Sequence, residues 1–153
     1  VQEHIPGSEL AFCENRAADS VIGFYCTLAQ RENIPFSLKI DLPLRLPVDD
    51  IDLCLVLSNV LENALEASRK AGARRHMEIA AYVYAENMVL IQVINAYSGE
   101  IRRVHSVFQS SKRSGDGVGL QSVRRIAEKN GGAATFSYAD GIFTARIMLR
   151  GKD

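Results

Sequence analysis

The chain has 153 residues, with 18 basic and 18 acidic side chains and a formal net charge of zero. That balance removes any global electrostatic case for nucleic acid or an anionic membrane as a partner. The length suits one domain, and 47% hydrophobic with 24% charged residues is ordinary for a globular one.

No apolar run reaches the length of a membrane span, and no signal peptide is visible. Cys13, Cys26 and Cys54 lack metal-ligand spacing and are expected to be reduced, mostly buried thiols. Residues 1–14 show no period and contain Pro6-Gly7-Ser8, so they read as a linker. The opening Val1-Gln2-Glu3 has no initiator Met, and the expectation is a fragment with other domains upstream.

From about Ala17 to Arg31, Val21, Tyr25 and Leu28 recur at helical spacing. Phe36, Leu38 and Ile40 alternate with Ser37, Lys39 and Asp41, which predicts a half-buried strand. Pro43 and Pro47 interrupt the chain, and Asp49 or Asp50 can cap a helix running to about Lys70. Residues 77–84 and 88–94 predict two strands joined by a tight turn at Glu86-Asn87. The stretch from Met88 to Ile94 is almost continuously apolar, which predicts a central strand covered on both faces.

Asn95 to about Gly117 has no convincing period, and a loop of that length in a compact domain is usually functional or mobile. Leu120, Val123, Ile126 and Ala127 mark a helix that ends at Asn130-Gly131-Gly132. Two closing strands, about 134–138 and 142–149, flank the turn Ala139-Asp140-Gly141. This order predicts a two-layer α/β (α+β) sandwich: a mixed sheet of about five strands with three helices on one face.

Two segments carry candidate chemistry. In the second helix, at about 100° per residue, Asn59, Asn63 and Glu66 fall within roughly 60° of one another. Leu53, Leu57, Val60, Leu61, Ala64 and Ala67 gather opposite, so the apolar stripe is expected on the sheet and the polar stripe away from it. A solvated face is the plain reading of such a stripe. Asn is a poor helix former, however, and Lys is absent between Asp49 and Ser68. An amide oxygen also suits Mg2+ when phosphates and water complete its shell.

In the second segment, Gly115, Gly117 and Gly119 alternate in front of the helix that is expected to begin near Leu120. Bare backbone N–H groups and the helix N-terminus can approach phosphate oxygens, and Lys112 can add a point charge. A flexible loop is the alternative. The segment lacks both the dinucleotide fingerprint and the NTPase phosphate-loop spacing. Asn95 offers a donor and an acceptor together, as an adenine edge requires, or else it simply ends a strand in a turn.

The combination of Asn59-x-x-x-Asn63-Ala64, Asn95, Ser111-Lys112 and Gly115-x-Gly117-x-Gly119-Leu120 resembles the GHKL ATPase superfamily and its Bergerat fold. Within that superfamily, which includes gyrase, MutL and histidine kinases, it looks like the catalytic and ATP-binding domain of agr-type quorum-sensing histidine kinases. The resemblance covers about residues 13–149, with Cys13-Glu14-Asn15 at its start and Val104-His105-Ser106-Val107-Phe108-Gln109 ahead of the glycines.

The resemblance implies ATP and Mg2+ as cofactors. Asn63 would hold the metal, and Asn59 would line the phosphate side as its catalytic companion. Asn95 would meet adenine. Lys112, Gly115, Gly117, Val118, Gly119 and Leu120 would form the lid edge and the phosphate cradle. Residues 96–114 would be the ATP lid. Hydrolysing relatives carry a Glu base at the position of Asn59, and an amide cannot take a proton from water, so transfer to a histidine is implied instead. Asn95-Ala96-Tyr97-Ser98-Gly99 stands in place of the usual Asp-x-Gly-x-Gly box, and Asp116 lies where relatives often carry His or Arg. Both departures imply weak nucleotide binding.

The implied organisation is a linker at 1–14, from an upstream dimerisation and phosphoacceptor domain, and a catalytic domain at 15–153. The implied partners are that upstream domain and a response regulator. This domain itself would touch neither nucleic acid nor membrane. It would be monomeric and inactive alone, as the cytoplasmic part of a membrane-anchored receptor. His4, His76 and His105 are not expected to be the phosphoacceptor. Two alternatives stay open: a degenerate docking module without ATP, and an anti-sigma-factor-type serine kinase.

Overall fold

The computed structural model describes residues 12–85, 87–98, 102–104, 107–109 and 115–151. The first helix, α1 (Arg16–Arg31), starts where Asn15 Oδ1 accepts from the N–H of Ala18 at 2.8 Å, while Asn15 Nδ2 donates to the Leu44 carbonyl at 3.2 Å. The second, α2 (Asp50–Lys70), is capped by Asp49, whose carboxylate accepts from Ile51 and Asp52 N–H groups at 3.0 and 3.3 Å. Such a cap satisfies donors that the first turn leaves orphaned.

Five strands form the main sheet in the order β1-β2-β3-β7-β6. They are β1 (Phe36–Asp41), β2 (Met77–Tyr84), β3 (Met88–Ala96), β6 (Ala133–Ala139) and β7 (Ile142–Arg150). The β1–β2 pair is parallel and the other three pairs are antiparallel, so the sheet is mixed. A short hairpin, β4 (Arg102–Val104) with β5 (Val107–Gln109), stands apart from it. The third helix, α3 (Gly115–Lys129), ends in a left-handed Gly131 at φ 71°, with Gly132 N–H bonding back to the Ala127 carbonyl at 2.8 Å.

The core lies between the sheet and the helices. Ile22 and Ala29 of α1, Leu53, Leu57, Leu61 and Leu65 of α2, and Val123 and Ala127 of α3 are buried there, against Ile79, Ile91, Ile147 and Leu149 of the sheet. The central helix is α2. It runs parallel to α1, since Cys54 lies at Ala17 and Arg69 at Glu32. It runs antiparallel to α3, since Asn59 meets Gly119 and Asp52 meets Asn130. No helix among the described residues is long and apolar enough to cross a membrane.

The two-layer sandwich is as expected, but three details differ. The stretch after Asn95 contains a hairpin, and α3 starts at Gly115 rather than near Leu120. Each glycine lowers helix propensity by about 1 kcal/mol, which hid the first turn from a sequence reading. β3 is central, but helices cover only one of its faces. Val89, Ile91 and Val93 are buried, while Leu90, Gln92 and Ile94 on the other face are half-buried between neighbouring strands. Its near-continuous apolarity reflects lateral shielding within the sheet, not a second helical layer. Glu86 of the expected turn lies outside the described residues; Ala85 beside it takes a left-handed φ of 59°.

Candidate functional site

The site begins where α2 and α3 touch. Asn59 is half-buried, and its Nδ2 donates to the Leu55 carbonyl at 2.8 Å. That bond fixes the amide and leaves Oδ1 directed at α3. A Cβ placed on Gly119 would stand 3.2 Å from that oxygen, so the two expected segments do meet. Asn63 follows one turn along the same face of α2 and is also half-buried. The other end of this polar stripe turns toward α1. Burial, then the Glu62 carboxylate, pushes the Tyr25 hydroxyl up to about 12, with Glu66 adding to the effect.

Gly115, Gly117, Val118 and Gly119 all fall in the first turns of α3, whose N-terminal N–H groups and dipole favour an anion. Leu120 is 5% exposed and its side chain belongs to the core, and its N–H lies past the first turn, where helical bonding takes it up, so the site role expected of Leu120 is one of packing. Lys112 lies outside the described residues, as does most of the expected lid at 96–114.

Asn95 occupies the other end. It sits in β3 between Met77 of β2 and Phe143 of β7, on the helix-covered face, and is 1% exposed. Nδ2 donates to the Ala96 carbonyl at 2.9 Å, while the buried Oδ1 has no partner among the described residues. An orphaned buried acceptor costs about 1–3 kcal/mol, so it marks a position where a donor is missing. Aromatic rings flank it: Phe143 lies 6.0 Å from Tyr97 and 6.3 Å from Phe136, and Tyr97 meets Tyr138 edge-on at 5.7 Å.

The C-terminal half of α2 connects the two ends. Ser68 Oγ donates to the His76 carbonyl at 3.4 Å, and that carbonyl also accepts from Ala96 N–H at 3.3 Å. Ser98 Oγ donates to the Lys70 carbonyl at 2.8 Å. From Asn59 to Ser68 the helix advances about 13 Å at 1.5 Å per residue. The arrangement suits an elongated ligand: a flat group with an exposed N–H at Asn95, and an anion at the glycine turn. Among the described residues no group of three or more His, Cys, Asp or Glu gathers as a metal cage.

Residues 48–150 match the family model described as GHKL domain. The chain belongs to the GHKL family. Its relatives include sensor protein FixL of Bradyrhizobium diazoefficiens, 30% identical over an alignment of 131 residues that covers 82% of this chain and 26% of FixL. Sensor histidine kinase HprS of Escherichia coli K12 is 26% identical over 141 residues, covering 88% of this chain and 30% of HprS. The chain thus spans roughly a quarter to a third of the curated relatives it matches. Among solved structures, the catalytic domain of histidine kinase ThkA superposes with a TM-score of 0.71 at 21% identity, over 91% of this chain and 95% of that one. ThkA has also been solved in complex with response regulator protein TrrA. This GHKL domain thus shares the fold of a histidine-kinase catalytic domain, and its sequence resembles part of two sensor proteins, one of them a sensor histidine kinase.

Sequence reasoning missed several residues that shape this GHKL site. Phe143 and Tyr97 flank Asn95, although nothing in the chain marks them as more than core. Asp52, Lys129 and Asn130 bind α2 to α3 at the end opposite Asn59. A charged residue at a buried helix position was the available signal for Asp52, but its partners lie 77 and 78 residues away.

Proposed function

We propose that this domain holds MgATP along α2 and supplies its γ-phosphoryl group to a histidine on an upstream dimerisation domain outside these residues. The orphaned Asn95 Oδ1 is the observation that carries the reading. The exocyclic amino group of adenine is the donor that this acceptor lacks, and the aromatic surroundings suit a planar base. The α3 N-terminus, with its three glycines, would take the phosphates. Asn63 would offer an amide oxygen to Mg2+, whose other ligands would be phosphate and water oxygens. Lys112 and the 96–114 lid would close over the nucleotide.

Phosphoryl transfer rests mainly on positioning and charge stabilisation. The imidazole nitrogen of the acceptor would form a bond to the γ-phosphorus as the bond to the ADP oxygen breaks, and the imidazole proton would pass to solvent water. Asn59 lies on the phosphate side but cannot act as a base toward water, which favours transfer over hydrolysis. The phosphoryl group would pass next to a response regulator. Residues 1–14 would form the linker to the acceptor domain, with 15–153 as the catalytic domain. The domain would be monomeric, on the cytoplasmic side of a membrane-anchored receptor, and its motif order favours the agr-type group.

Calorimetric titration of MgATP into this domain tests the reading, with Asn63→Asp and Gly117→Ala alongside. The expected result is magnesium-dependent binding that both variants lose. No binding up to millimolar MgATP overturns it in favour of a docking module.

A further inference from the structure

Two contacts far apart along their lengths join α2 and α3. At one end, Gly119 stands against Asn59 Oδ1. At the other, the Asp52 carboxylate receives Lys129 Nζ at 3.1 Å on Oδ1 and 3.0 Å on Oδ2, and Asn130 Nδ2 at 3.1 Å on Oδ2. The Asp52 side chain is only 9% exposed, whereas that of Lys129 is 65% exposed. Asn130 Nδ2 also donates to the Ile126 carbonyl at 2.9 Å. One amide therefore fastens both the last turn of α3 and the first turns of α2. The hydrogen bond from Asn130, then that from Lys129, holds the Asp52 carboxyl below its usual value, against the opposing effect of burial.

Between these contacts, Leu120, Val123 and Ala127 are buried in the core. Apolar burial is non-directional. It selects the face that α3 presents, while close packing limits how far the helix can slide. Hydrogen bonds are directional, and they set an axial register. From Gly119 to Lys129, α3 is a continuous helix of about 15 Å, and a packed helix shifts as one piece. A change of register at Asp52 therefore reappears at the glycine turn.

We infer that Asp52 is a positioning residue: acting through α3, it sets how closely the glycine turn stands over Asn59 and so how tightly the phosphate end of the nucleotide is held. The inference rests on the MgATP reading given above. Asp52 touches no ligand in it, which separates this role from that of Asn59, Asn63 or the glycines.

The experiment compares Asp52→Ala, Asp52→Asn and Lys129→Met with the parent, each shown by circular dichroism to be folded. Lys129 is largely exposed, so its variant keeps the test alive if the Asp52 variants do not fold. Two probes are titrated: MgATP, which spans the site, and adenosine, which reaches only the Asn95 end. The expected result is an MgATP affinity lowered about five- to tenfold in Asp52→Ala, with adenosine affinity unchanged. Asp52→Asn, which keeps one acceptor, recovers part of the loss, and Lys129→Met shows a smaller loss. The Gly119 amide resonance also shifts in Asp52→Ala without nucleotide. Folded variants that bind MgATP like the parent overturn the inference, as does an equal loss for both probes. A parent that binds neither probe overturns the nucleotide reading itself, and the inference falls with it.

Discussion

Gly119 faces Asn59 Oδ1 at a distance that leaves space for a hydrogen but not comfortably for a methyl group, since a Cβ there would lie 3.2 Å from the oxygen. Asn59 cannot swing aside freely, because its Nδ2 is bonded to the Leu55 carbonyl at 2.8 Å. Gly119→Ala therefore sets two effects against each other. Alanine inside α3 favours the helix by about 1 kcal/mol. Displacing Asn59 costs about the same, through a strained rotamer or a lost hydrogen bond. The expected outcome is a denaturation midpoint close to the parent's, with MgATP affinity lowered by roughly tenfold. Urea denaturation and calorimetry on the same sample check both halves. A large loss of stability would show that Gly119 serves the fold rather than the site.

Gly132 presents the opposite case. A Cβ there would fall 1.8 Å from the Met148 carbonyl oxygen and 2.7 Å from its carbon, both rigid backbone atoms of β7. Neither can yield without breaking the β6–β7 pairing that starts at Ala133 and Met148. Gly132→Ala should cost about 3 kcal/mol or more, seen as a fall of the urea midpoint or as insoluble expression.

The contrast between these glycines bears on what a sequence reveals. Gly131-Gly132 was legible as a helix stop because Leu120, Val123 and Ala127 set a clear period before it. The start of the same helix was not legible, because Gly115, Gly117 and Gly119 erase both period and propensity. The five main strands could be read from alternation, from the apolar run of β3 and from turn residues. The hairpin at 102–104 and 107–109 could not, since three-residue strands carry too little pattern. Asn59 and Asn63 stood out because an amide is an uneconomical choice mid-helix, and Asn95 because its amide offers a donor and an acceptor together. Asp52 did not, because its meaning depends on Lys129 and Asn130, which only the tertiary fold brings near. Asn95 Oδ1 is the sharper lesson: sequence marked the residue, but only the fold reveals that one half of the amide is used and the other left open.

Asp52 also predicts how stability responds to acid. Its carboxyl is held below the usual value by Asn130 and Lys129. A group with a lowered folded pKa contributes stability above its unfolded pKa of about 3.9, and that contribution is lost as pH falls through the folded value. Urea midpoints should fall more steeply as pH drops below about 5 in the parent than in Asp52→Asn. At pH 7, Asp52→Ala should cost about 1–2 kcal/mol. This is less than breaking a fully buried ion pair, because Lys129 stays in water and Asn130 keeps its bond to Ile126. Equal pH slopes for parent and variant would mean that the Asp52 contacts do not form in solution.

Asn95 predicts which purine the site accepts. With an Nδ2 hydrogen tied to the Ala96 carbonyl at 2.9 Å, the open atom that this residue offers is the acceptor Oδ1. Adenine presents an amino group on the edge where hypoxanthine and guanine present a carbonyl oxygen. ATP would satisfy Oδ1; inosine or guanosine triphosphate would place two acceptors together and leave the buried Oδ1 unpaired. That difference is worth about 1–3 kcal/mol, or roughly 5- to 150-fold in affinity. Competition calorimetry with the three triphosphates measures it directly. Asn95→Ala removes the discriminating oxygen, so ATP affinity should fall while inosine triphosphate affinity holds or rises, and the two should converge. A parent that binds the three triphosphates equally would mean that the base does not reach Asn95.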